Sequence, residues 1–135
     1  MALKITLKPN EKMIIGGAVI RSGNSKSKLI IENNVPILRE RDILSEKEAS
    51  SPSRRIYFVI QLMYIDDSNL YHHNKNYWML VRDLIQAAPS VLPLIVEINE
   101  LILKGHYYQS LKIARNLIDY EEEVVQHASQ SAASL

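Results

Sequence analysis

LKITLKPNEKMIIGGAVIRSGNSKSKLIIENNVPIL, residues 3–38, is the stretch whose reading decides the fold. Leu3, Ile5 and Leu7 alternate with Lys4, Thr6 and Lys8, the period-two pattern of a half-buried strand. Pro9-Asn10 breaks it. Met13 to Ile15 is a second short strand, stopped at Gly16-Gly17, where a backbone with positive φ forms most easily. Ala18 to Ile20 gives a third. Gly23-Asn24 precedes Lys28 to Ile31, which predicts a hairpin there. After the turn residues Asn33-Asn34 comes a last strand, Val35 to Leu38, which Pro36 assigns to a sheet edge. Five such short strands do not make a stable free-standing sheet, so a helix cover, a second copy in a dimer, or both are expected.

Downstream the apolar period lengthens to that of helices. Ser45 and Glu48 have capping-box spacing, which predicts a short helix or turn. Ser51 caps the next helix with Pro52 in its first turn, and Ile56, Val59, Ile60, Met63 and Tyr64 form one apolar face. Asp66 to Lys75 reads as a polar loop. A second helix carries Tyr77, Leu80, Val81, Leu84, Ile85 and Ala88 and stops before Pro89. Ser90 is expected to cap a third helix through Lys104, with Gly105 as its stop. A fourth helix, about 106–127, uses Leu111, Ala114, Leu117, Ile118 and Val125 as its stripe.

The fold class read from this pattern is α+β: a small antiparallel sheet of about five short strands, then a bundle of three to four α-helices. The expected divisions are a β module over 1–44, a helical bundle over 45–127 and a frayed tail over 128–135. The 135 residues are 47% hydrophobic and 23% charged, an ordinary globular composition. Absence of cysteine removes disulfides, zinc-thiolate sites and thiol catalysis, and fits a reducing compartment. Nothing at the N-terminus reads as a signal peptide, and the longest apolar stretch, Val91 to Val96, is too short to span a bilayer. A cytoplasmic protein without membrane contact is expected. The net charge of +1 hides a basic first half, residues 1–55, with eleven Lys/Arg against six Asp/Glu, and an acidic remainder with five against nine. A basic module of that kind can meet a polyanion.

The search for reaction chemistry is thin. His72-His73 are adjacent and would diverge on a helix; in the expected loop they chelate only weakly. Glu121-Glu122-Glu123 spread around a helix and read as a solvated face, and Gly16-Gly17 lacks the residues of a phosphate loop. No catalytic residue, metal site or cofactor is assigned. Trp78, Tyr107 and Tyr108 remain as candidate anchors for a protein partner, because two adjacent tyrosines on a helix cannot both face one core.

The opening residues 1–21, Pro36 to Leu44, Arg55 to Tyr64, Ala87-Ala-Pro-Ser90 and Gly105 to Glu123 together resemble the FlbT family of flagellar-biosynthesis repressors. The resemblance implies a non-enzymatic, post-transcriptional regulator that associates with the 5′ untranslated leader of flagellin mRNA and affects its translation or decay. It also implies FlaF, a small companion acting in opposition, and flagellin as partners. Leu7-Lys-Pro-Asn-Glu11, Met13-Ile-Ile-Gly16, Leu29-Ile-Ile31 and Arg39-Glu-Arg-Asp-Ile43 further resemble the CsrA class of dimeric RNA-binding proteins, which implies a homodimer through the β module. Two departures stand out: Leu7-Lys8 replaces adjacent arginines, and Glu40 replaces the key arginine of the last strand.

On this resemblance Lys4, Lys8, Lys12, Arg21, Lys26, Lys28, Arg39 and Arg41 are the candidate RNA-binding residues. The competing expectation is a protein-interaction module that binds FlaF, flagellin or a secretion component through the helical half, with Trp78, Tyr107 and Tyr108 at the contact.

Overall fold

The computed structural model describes residues 2–133, with side chains described as far as residue 130. The chain divides into two compact units between Ile43 and Leu44. The first holds β1 (Leu3–Leu7), β2 (Lys12–Ile15), β3 (Ala18–Arg21), β4 (Ser27–Ile31) and β5 (Ile37–Arg39); the second holds α1 (Pro52–Ile65), α2 (Leu70–Ala87), α3 (Leu92–Leu103) and α4 (Tyr107–Ala133). The fold is α+β, strands first and helices second.

The strands form two antiparallel sheets instead of one: β1 pairs with β4, and β2 lies between β3 and β5. The hairpin expected at Gly23-Asn24 is absent. The tight hairpin joins β2 and β3 through Gly16-Gly17, whose φ values of 56° and 88° give the turn that matches strand twist. β4 crosses to β1 instead, in a register that sets Leu29 opposite Ile5 and Leu3 opposite Ile31. A one-residue slip would turn this whole apolar set outward, so burial selects both partner and register. Ile5, Leu7 and Met13 are the buried centre, with Ile15, Leu29, Ile31 and Ile37 packed against them. Each fully buried aliphatic side chain contributes about 1.5–3 kcal/mol. β5 is an edge strand and Pro36 immediately precedes it, where its missing N–H breaks no ladder; its carbonyl accepts from Gly16 N at 2.9 Å.

In the helical unit α1 packs against α2 and α4, and α3 packs against α4. Ile56, Ile60, Met63, Tyr77, Ile95, Ile98, Ala114 and Leu117 are its buried centre. Ser45 and Glu48 make the reciprocal capping hydrogen bonds, at 3.0 and 3.2 Å, around a turn. Ser51 accepts from Arg54 N at 3.2 Å and caps α1. Gln61, buried on α1, clasps Leu44 by accepting from its N–H at 2.8 Å and donating to its carbonyl at 2.9 Å. Gly105, just past the end of α3, has a φ of +76° that allows His106 N to reach Leu101 O and Gly105 N to reach Ile102 O.

Three helix boundaries differ from the expectation. Asp66 to Lys75 is no loop: a 3₁₀ turn at Asp67–Asn69 leads directly into α2. His73, Tyr77, Val81 and Leu84 are its buried stripe, so the helical period begins with a histidine that simple hydropathy reads as polar. α3 starts at Leu92, and Ser90 caps nothing; its hydroxyl meets Tyr120 OH at 2.7 Å. α4 continues to Ala133 through the segment expected to fray from 128, while residues 134 and 135 lie outside the described residues.

Candidate nucleic-acid interface

Lys8-Pro9-Asn10-Glu11 is the turn that links β1 to β2, with Glu11 N donating to Lys8 O at 3.1 Å. Proline at the second position and Asn10 at φ 63° at the third are the residues a type II turn requires. Glu11 locks the turn by accepting from Lys8 N at 2.8 Å and from Arg39 Nη2, on β5, at 3.2 Å. Arg39 also donates to Thr6 O at 3.1 Å. The Lys8 amide, with Arg39 beside it, holds the Glu11 carboxyl below its ordinary range. The turn, Arg39, Glu40 and Arg41 line an open groove of about 570 Å³.

Of the eight cations expected to meet RNA, this groove gathers Lys8, Arg39 and Arg41. Arg39 is already engaged within the unit, whereas the Arg41 side chain is 82% exposed, with its Nε 3.9 Å from Asp42. Lys4 and Lys28 lie on the outer face of the two-stranded sheet, opposite Ile30 and Thr6. Lys12 and Arg21 are exposed and face each other across β2 and β3. Lys26 sits between β3 and β4. Sequence reasoning missed Asn10, Glu11 and Glu40 as groove residues, although Lys8-Pro-Asn-Glu11 reads as a turn and could have pointed there. Cations bind phosphate oxygens, while an amide and carboxylates can bond base edges. Residues 1–43 contain no Phe, Tyr, Trp or His, so bases cannot stack on aromatic rings in this unit.

The family described as "Flagellar protein FlbT" matches residues 3–125. The chain belongs to the FlbT family. A relative from Bradyrhizobium diazoefficiens, named "Probable flagellum biosynthesis repressor protein FlbT 1", is 47% identical over 125 residues, 92% of this chain and 85% of the relative. The "Flagellum biosynthesis repressor protein FlbT" of Caulobacter vibrioides is 31% identical over 136 residues, covering 99% of this chain and 96% of the relative. No solved structure matches.

In this FlbT-family chain the three aromatic candidates do not share one surface feature. Trp78 is 46% exposed, lies edge-on to Tyr77, and lines a shallow apolar groove of about 280 Å³ with Ile85, Leu92 and Ile95. Tyr108 is the more exposed of the adjacent tyrosines and rests against Tyr64, centroids 5.8 Å apart, under Lys112 Nζ. The expected loop histidines sit on α2 instead. His73 is buried with Nε2 3.2 Å from Asp66 Oδ2, and His72 meets Asn76. Hydrogen bonds from Ser68, Asn69 and His73 hold Asp66 at about 2. Burial raises the Tyr77 hydroxyl, which donates to Asn99.

The glutamate run is more than a solvated face. Glu121 accepts from Ser53 N at 3.0 Å, which places a carboxylate at the positive end of α1, and Glu122 pairs with Arg54. Among the described residues no group of three His, Asp or Glu is placed to hold a metal, and no helix is long and apolar enough to cross a membrane.

Proposed function

We propose that this chain regulates flagellum biosynthesis by binding the 5′ untranslated leader of flagellin mRNA through its β unit, with effects on translation or decay following from occupancy of the leader. The process comes from its family: the relatives carry the name flagellum biosynthesis repressor. The observation that carries the RNA contact is the groove at Lys8, Arg39 and Arg41 in a unit with eight basic residues against four acidic ones. Without aromatic platforms, affinity rests on phosphate contacts and falls steeply with salt. Titrating purified protein with labelled flagellin leader and with an unrelated leader of equal length tests this. Selective, saturable binding supports it; weak binding equal for both RNAs refutes it.

A second reading, a protein-interaction module for FlaF or flagellin, draws on the exposed Trp78 and on Leu92, which is 47% exposed beside it. Co-purification with either partner, lost in a Trp78→Ser variant, supports that role. A complex unaffected by Trp78→Ser counts against this site.

A further inference from the structure

We infer that Lys12 and Arg21 form a clamp for a single phosphodiester group of the RNA strand. The inference rests on the RNA reading above and adds to it two residues that are not among those lining the groove. The two residues are directly opposite in the antiparallel ladder of β2 and β3. Ser22 N donates to Glu11 O at 2.9 Å, so residues 11 and 22 form a hydrogen-bonded pair. Pairs alternate along an antiparallel ladder, so Lys12 and Arg21 occupy the non-hydrogen-bonded kind, in which opposing side chains come closest. Both side chains are exposed.

Like charges directly opposite each other destabilise a strand pair. In the β unit Arg39 pairs with Glu11 and Arg41 with Asp42, and among the described residues no carboxylate forms an ion pair with Lys12 or Arg21. An anion seated between the two cations would convert the repulsion into attraction. A phosphodiester fits because its two non-bridging oxygens can accept from the guanidinium fork and the ammonium together. Val19, one pair further along the same face and 70% exposed, offers an apolar ledge beside that phosphate for the adjoining sugar.

Two measurements on the full chain separate the clamp from the wider RNA reading. The first uses Lys12→Gln, Arg21→Gln and the double variant in a leader-RNA salt series. One phosphate on a single strand contributes about 0.7 to the slope of log affinity against log salt. A clamp on one phosphate predicts a slope smaller by about 0.7 in the double variant; a loss near 1.4, meaning two separate phosphates, overturns it. The second compares melting temperature in sodium phosphate and in sodium chloride at equal ionic strength, without RNA. The clamp predicts a phosphate-specific rise in the wild type that the double variant lacks, and single variants that melt no lower than wild type in chloride. An equal phosphate effect in both proteins overturns the clamp. A phosphate-specific rise without binding of the leader keeps the anion site but overturns its assignment to RNA.

Discussion

Replacing Gln61 with leucine removes two hydrogen bonds at the point where the chain enters the helical unit. The side chain is 3% exposed, accepts from Leu44 N at 2.8 Å and donates to Leu44 O at 2.9 Å. Leucine fills nearly the same volume, so the cavity contribution is small, but both backbone groups of a buried residue lose their partner. Each orphaned group costs about 1–3 kcal/mol, partly offset because no amide side chain is buried any longer. The net expectation is a loss of about 2–4 kcal/mol. For a unit of this size that lowers the melting temperature by roughly 8–30 °C. Gln61→Glu sharpens the test, because it keeps the acceptor and loses the donor at neutral pH. Burial beside the Leu44 carbonyl raises the folded-state pKa of that glutamate. Its deficit is therefore full above the folded pKa and shrinks as pH falls through it, since the protonated form can donate again. Urea denaturation followed by circular dichroism reads both variants. A loss below about 1 kcal/mol for Gln61→Leu, or a pH-independent deficit for Gln61→Glu, would refute the reasoning.

Other substitutions probe the groove, the turn and the α2 entrance. Gly16→Ala should lower stability by about 1 kcal/mol through the left-handed backbone at φ +56° alone, because the new Cβ would meet Val35 at an ordinary 3.7 Å; an unchanged denaturation midpoint contradicts this. Arg39→Gln should weaken both the fold and leader binding, because it releases Glu11 and Thr6 O. Arg41→Gln, at a side chain that is 82% exposed, should lower the melting temperature less than Arg39→Gln and reduce the salt slope by about 0.7. Equal melting losses in the two variants would contradict this ranking. Asp66 is held at about 2 against an ordinary 3.8, so its stabilising contribution is complete above 3.8 and fades as pH falls through about 2. Asp66→Asn should therefore be less stable than wild type near neutrality and converge with it at the acid end. A constant gap across an acid denaturation series would contradict the assignment.

Local chemistry made much of this fold legible. Alternation over Leu3–Leu7, the Gly16-Gly17 turn, the Ser51-Pro52 helix start and the Gly105 stop depend on residues a few positions apart, and each stands where expected. Long-range choices were not legible. The pairing of β4 with β1 depends on which apolar face finds Ile5 and Leu7, and no turn residue states that. The start of α2 was hidden because His73, buried against Asp66, occupies an apolar stripe position. Glu121 caps α1 from 68 residues away, a distance at which spacing carries no signal. For the interface, charge identified the basic unit, but only the folded turn shows that Lys8 and Arg41 share a groove while Arg39 is held by Glu11.

Direct contact between the β unit and RNA is tested best by ultraviolet cross-linking of the flagellin leader to the full-length chain, followed by mass-spectrometric mapping of the linked peptides. The expected adducts fall on peptides containing Lys8–Glu11 and Arg39–Arg41, and they decline as salt is raised. Adducts confined to the helical unit, or none above those formed with an unrelated leader, would contradict it.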